Sequence, residues 1–179
     1  SVNRLAGAVI FAALLLGAPL AGLFAYDLVA VRPHVAEIEA ILTNADEQDA
    51  SPPPLIRDLI DASAGSPVPS VAQMAVHRFY SAQPALTWHA RNVLWRILLP
   101  LHFDDDEMYG LYASQAYNSV DKGLDRLAMR EYDKPLDALS AGEAARVMAI
   151  VRAPSFMLRD RQRLEARAEW LLARAGHAR

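Results

Sequence analysis

KPLDALSAGEAARVMAIVRAPS, Lys134 to Ser155, is the stretch on which the fold turns. Its middle, LSAGEAA, sets Ser140 three residues ahead of Glu143. At that spacing a serine side chain caps a helix and the glutamate bonds back to the N–H of the capping residue. Ala144, Val147, Met148 and Val151 then recur at helical spacing, which predicts a helix with one apolar face. The flanks, KPL and RAPS, serve no helical purpose of their own, since each carries a proline, which lacks the N–H that a helix interior needs.

Working outward, the same device recurs upstream. Asp104 stands three residues ahead of Glu107 and opens a helix carrying Met108, Leu111 and Tyr112. Before it, Val93, Leu94, Ile97, Leu98 and Leu101 make an apolar face at helical spacing, and Pro100 is expected to bend or end that helix. A last helix is expected over 157–175, with Gly176 in the left-handed cap position. From Leu55 onward no alternating run is long enough for a strand, so the fold class is all-α.

The 179 residues carry a formal charge of −3, with both signs scattered and 53% hydrophobic residues. No basic stripe points to nucleic acid. The chain has no cysteine, which removes disulfides, thiol catalysis and cysteine-held zinc. The apolar excess lies at the N-terminus, where Leu5 to Tyr26 contains no charge. A run of that length matches a hydrocarbon core of about 30 Å, and it exceeds the roughly 7–15 apolar residues of a signal peptide. Residues 1–31 are therefore expected to be a transmembrane anchor. Arg4 before the span and Asp27 after it orient the N-terminus to the cytoplasm. Residues 32–54 read as a juxtamembrane helix with Val35, Ile38 and Leu42 on one face, followed by a polar, proline-rich linker, TNADEQDASPPP. Residues 55–179 form the helical domain.

The quoted stretch resembles the C-terminal signature of glycosyltransferase family 51, the peptidoglycan polymerase domain of class A penicillin-binding proteins. Gly123 to Ser155 aligns with it without gaps, with KPL, LSxxEAA and APS all in register. HFDDDEMYGLYASQAY (His102 to Tyr117) is similar to a further helix of the family, keeping Glu107, Leu111 and Tyr112, and PSVAQMAVHRFY (Pro69 to Tyr80) to its glutamine motif, keeping Ser70 and Gln73. The resemblance covers about Leu55 to Ser155. It implies a lysozyme-like helical domain of the peptidoglycan glycosyltransferase type, here truncated, because only a handful of residues separate Ser63 from Pro69 where the family has roughly thirty or more.

The resemblance also implies where the family's two catalytic glutamates belong. One position is Ser63 and the other Asn92, and neither side chain takes a proton near neutral pH. Asp61 is a substitute base only if the register shifts, since two residues turn a helix by about 200°. Ser70, Gln73, Arg91 and Lys134 stand as candidate binding residues. The acidic run Asp104 to Glu107 reads as a capped first turn rather than a metal site, and His77, His89 and His102 show no ligand spacing. Trp88 and Trp95, seven apart, read as core packing before lipid or partner contact.

The function expected on this basis is that of a degenerate, non-catalytic family member: a membrane-anchored binding or structural subunit of a bacterial envelope complex. The alternatives are an active lipid II polymerase with a rearranged site using Asp61 or Glu107, and a helical adaptor whose similarity is accidental. Expected partners are envelope or cell-wall-synthesis proteins, peptidoglycan or lipid II, and the membrane, with no cofactor, no metal and no nucleic acid. The expected location is the bacterial inner membrane, single-pass, with the helical domain in the periplasm.

Overall fold

The computed structural model describes residues 17–176. The chain divides into two compact units, Ser1–Ala36 and Glu37–Arg179. In the first unit residues 17–26 form helix α1, which widens to a π-helical turn over Asp27–Val31 and tightens to a 3-10 turn over Arg32–His34. The larger part of the expected anchor, Leu5 to Leu16, lies outside the described residues. Among the described residues no helix is long and apolar enough to cross a membrane. Residues 17–26 rise about 15 Å, half of a hydrocarbon core of about 30 Å, and Asp27 follows directly. The expectation of a single-pass inner-membrane protein with a periplasmic domain is corrected accordingly, and of the expected fold the all-α class stands, without its transmembrane helix.

Helix α2 (Val35–Thr43) runs into the second unit, which continues with α3 (Glu47–Ala50), α4 (Pro54–Ala64), α5 (Val68–Phe79), α6 (Ala85–Leu98), α7 (Asp105–Gln115), α8 (Leu124–Tyr132), α9 (Ala141–Arg152), α10 (Pro154–Met157) and α11 (Arg161–Arg174). Among the described residues there is no strand, only one isolated bridge between Tyr117 and Lys122, so the all-α reading holds. Helix α9 is the centre. Its Ala144, Ala145, Val147, Met148, Ala149 and Ile150 are all buried, against α4, α8, α10 and α11. The alanines keep the helix surface low enough for neighbours to approach closely, and Ile56, Leu59 and Ile60 of α4, Leu124 and Leu127 of α8 and Leu171 of α11 fill the space between.

Both sequence-read capping boxes form. Asp104 accepts from the Glu107 N–H at 2.9 Å while its own N–H donates to Glu107 at 2.8 Å. Ser140 and Glu143 do the same for α9. Helix α6 ends at Leu98 and gives way to a 3-10 turn over Leu99–Leu101, where Pro100 removes a donor. The buried side of α6 carries Asn92, Trp95 and Leu98, whereas Val93, Ile97 and Leu101 of the sequence-read face are exposed. The last helix is shorter than expected. Ala153 leaves helical geometry ahead of Pro154, so Pro154–Met157 is a separate turn and α11 starts at Arg161, ending ahead of Gly176 at φ +75°.

The stretch read as a linker is part of the folded unit. Helix α3 packs on α7, and Gly110 permits this, because a Cβ there would lie 2.5 Å from the Ala50 carbonyl oxygen. Asp49, only 1% exposed, accepts from the N–H groups of Leu124 and Asp125 at 3.0 Å each and so caps α8 from across the chain. Gly123, at φ +113°, leads into α8 where a Cβ would come within 2.6 Å of the same carboxylate. A bare spacer buries nothing; this one supplies a cap.

Candidate functional site

A cleft of about 360 Å³ opens between the end of α4 (Ser63, Ala64), one side of α5 (Ser70, Val71, Gln73, Met74), the last turns of α7 (Leu111, Tyr112, Gln115) with Ala116, and the end of α9 (Val151, Arg152). That volume falls in the range of small-ligand sites. The local sequence explains the shape. Gly65 at φ +78° ends α4, its N–H returning to the Asp61 carbonyl at 2.7 Å. Ser66 then accepts from the Val68 N–H at 3.2 Å, and Pro67 and Pro69 set the first turn of α5. The turn from Ala64 to Val68 is tight enough that Ser63 and Ser70 line one cavity. On the far side, the capped α9 ends at Arg152, which lines the same cleft.

The polar residues of the lining bring hydroxyls, carboxamides, one phenol and one guanidinium, set among the apolar side chains of Ala64, Val71, Met74, Leu111, Ala116 and Val151. Among the described residues that line it there is no carboxylate and no histidine. Burial pushes the Tyr112 phenol above its ordinary value, against the opposing pull of Arg152. The phenol is a hydrogen-bond donor and no proton acceptor at neutral pH. Such a surface can orient a polar ligand; it offers nothing to deprotonate an attacking hydroxyl.

The carboxylates proposed as substitutes are elsewhere. Asp61 accepts from the Tyr109 hydroxyl at 2.7 Å and lines a separate shallow cavity with Asp58, Ala62, Arg174 and Ala175. Two residues along α4 have turned it away from Ser63, as helix geometry requires. Glu107 is held in its capping box. Of the remaining sequence candidates, Ser70 and Gln73 meet Ser63 in the cleft. Asn92 does not line it: this residue is 3% exposed within α6, and its Nδ2 has no hydrogen-bond partner among the described residues. Arg91 lies over the Tyr80 ring at 3.7 Å. Lys134 donates to Glu143 at 2.7 Å, and that bond, with those from Ser140, pulls the Glu143 carboxyl down to about 2.

KPL and RAPS thus have separate duties. Lys134 ties down the α9 capping box, and Leu136, which is buried, donates its N–H to Asp125 at 3.0 Å. RAPS ends α9 and delivers Arg152 to the cleft. Arg152 and Gln115 are the site residues that the sequence reading missed. The break in helical pattern at Ala153–Pro154 was the available signal for Arg152, because a side chain at a helix end is free to serve an opening. No protein-family model matches the chain, and no curated protein is similar to it in sequence.

Proposed function

We propose that the helical domain is a non-catalytic relative of the peptidoglycan glycosyltransferases, a truncated lysozyme-like domain that serves as a binding subunit of a bacterial envelope complex and takes peptidoglycan or lipid II as its ligand. One observation carries this reading: Ser63, which the resemblance puts at the position of a catalytic glutamate, lines one cleft with the candidate binding residues Ser70 and Gln73, and that cleft has no carboxylate in its described lining. Activation of an acceptor hydroxyl needs a titratable atom within hydrogen-bond reach, and serine at position 63 provides none. Hydroxyl and carboxamide groups on a concave surface suit the many hydroxyls and amides of an acetylated sugar strand.

The test is to incubate the purified chain with lipid II in detergent. No glycan chains are expected, while lipid II or short glycan strands bind saturably, and Ser70→Ala with Gln73→Ala weakens that binding. Polymer that appears with the unaltered chain and disappears with Asp61→Asn would sink the non-catalytic reading. Ser63→Glu restores a carboxylate to the cleft and is expected to leave the chain inactive, since the donor segment between α4 and α5 is a tight turn.

A further inference from the structure

Helix α6 is apolar on two opposite sides, and the rest of the described chain covers one of them. Its main neighbour is α5. Asn92, Trp95 and Leu98 are buried, and the Trp95 ring meets those of Phe79 and Tyr80 at 6.0 and 6.1 Å between centroids. Leu86, Val93 and Ile97 stand at i, i+7 and i+11, in a row about 40° wide on the side of the helix opposite Trp95. They are 83, 54 and 52% exposed, and Leu101, in the 3-10 turn that follows, is 71% exposed. A row of large apolar side chains is unlike the singly scattered ones that any surface carries.

The charge around this row is one-sided. From Ala62 to Phe103 the chain has no aspartate and no glutamate, so all 21 of its acidic residues lie elsewhere, while Arg78, Arg91 and Arg96 fall inside. Arg78 pairs with Glu37 of α2, and Arg91 lies over the Tyr80 ring. Arg96 and His89 are exposed on one flank of the row, about 60–80° round the helix from Leu86. An arginine so placed lays its stem along apolar surface and holds its guanidinium out at the edge. The acidic first turn of α7 opens only at Asp104, past the end of the row, and Asp106 within it is engaged by Arg57.

We propose that α6 is a docking face for an anionic phospholipid surface, with Leu86, Val93 and Ile97 entering the boundary between headgroups and acyl chains and Arg96 meeting the phosphodiester groups. A helix of this kind lies in the surface and spans nothing. A second copy of the chain fits less well, because it brings the same positive flank to the row with no acid between Ala62 and Phe103 to pair it. A partner helix is received in a groove, whereas this row is a ridge on one helix. The proposal needs neither the cleft nor a glycan, so it stands or falls apart from the reading above.

The chain has no cysteine, so a single introduced one reports a single place. Val93→Cys and Ile97→Cys, each labelled with the polarity-sensitive fluorophore NBD in the 179-residue chain, are compared with Asp137→Cys, an exposed position in the 3-10 turn Leu136–Ala138. With phosphatidylcholine vesicles containing phosphatidylglycerol, the first two labels are expected to brighten and shift to the blue, and the third to stay as in water. Arg96→Glu is expected to raise the lipid concentration at half-effect about tenfold, a scale fitting the reversal of one charge beside an anionic surface. Arg96→Lys, which keeps the charge, is expected to stay within about twofold and separates loss of charge from loss of fold. These vesicles hold no glycan and no lipid II, so failure here leaves the cleft reading untouched. The proposal is overturned if none of the labels responds, or if pure phosphatidylcholine gives the same response. It is equally overturned if the chain sediments with vesicles while the first two labels stay in water, which assigns binding to another segment, or if they shift with protein concentration alone, which assigns the row to a second copy.

Discussion

Two cavities meet at the C-terminal end of α7 and share Gln115, yet their walls differ in kind. The larger, about 490 Å³, is walled by charge: Glu37, Asp46 and Asp49 face Arg78, Lys122 and Arg126. The smaller is the neutral cleft of Ser63, Ser70 and Gln73 with Arg152 at its edge. The acidic groups in the larger cavity are committed. Glu37 pairs with Arg78 and Asp46 with Arg126, each at 2.8 Å, and Asp49 caps α8. The difference teaches that the carboxylates around α7 hold helices together, and that the cleft, free of them, is left with groups suited to recognition.

Three substitutions break or sharpen this contrast. Gly110→Val acts most strongly, because its side chain collides with the Ala50 carbonyl and forces α3, one wall of the charged cavity, off α7. A loss of about 3 kcal/mol in chemical denaturation is expected. A change below about 1 kcal/mol would mean that α3 is not packed as described.

Asp49 comes next, through pH. Burial raises its carboxyl to about 7, outweighing the two N–H bonds that favour the charged form, and the neighbouring Asp125 and Asp46 push the same way. The folded state therefore binds a proton that the unfolded chain, with an ordinary aspartate, releases near pH 4. This contribution is fully present below about pH 4 and is lost as pH rises through about 7. Asp49→Asn keeps an acceptor for both N–H groups and removes the dependence. Melting curves at pH 5 and pH 8 should show the slope in the unaltered chain and not in the variant; a slope common to both assigns it to other groups.

Glu143 has the opposite sign and the smallest effect. Its carboxyl is lowered to about 2 by Lys134 and Ser140, so its contribution is present above the unfolded value near 4.5 and is lost as pH falls towards 2. Glu143→Gln should flatten that part of the acid unfolding curve by slightly lowering stability in the neutral range, where the contribution is present, and leave the acid end unchanged. An acid limb that does not respond would detach Lys134 from the α9 cap.

Much of the fold was legible because it is local. Capping boxes at Asp104 and Ser140, the stop at Pro100 and the left-handed Gly176 depend on residues within a turn of each other. The cleft was half legible. Ser63, Ser70 and Gln73 are few residues apart, so a tight turn brings them together, whereas Asn92, Arg91 and Lys134 belong to segments with other duties. What failed depended on distant packing. The polar stretch before Pro54 looks like a spacer until α8, some seventy-five residues later, needs a cap. Similarly, the apolar side chains of α6 could not say which side its neighbours would cover, and Val93 and Ile97 were left exposed while Trp95 was buried.

By itself the sequence determined that the described chain is helical, where α7 and α9 begin, and where α6 and α11 stop, because each of these follows from residue identity and short-range geometry. Tertiary structure alone decided which way each remaining carboxylate faces. Asp61 and Ser63 are two residues apart on one helix, and the packing of α5, α7 and α9 around α4 puts the serine in the cleft and the acid outside it.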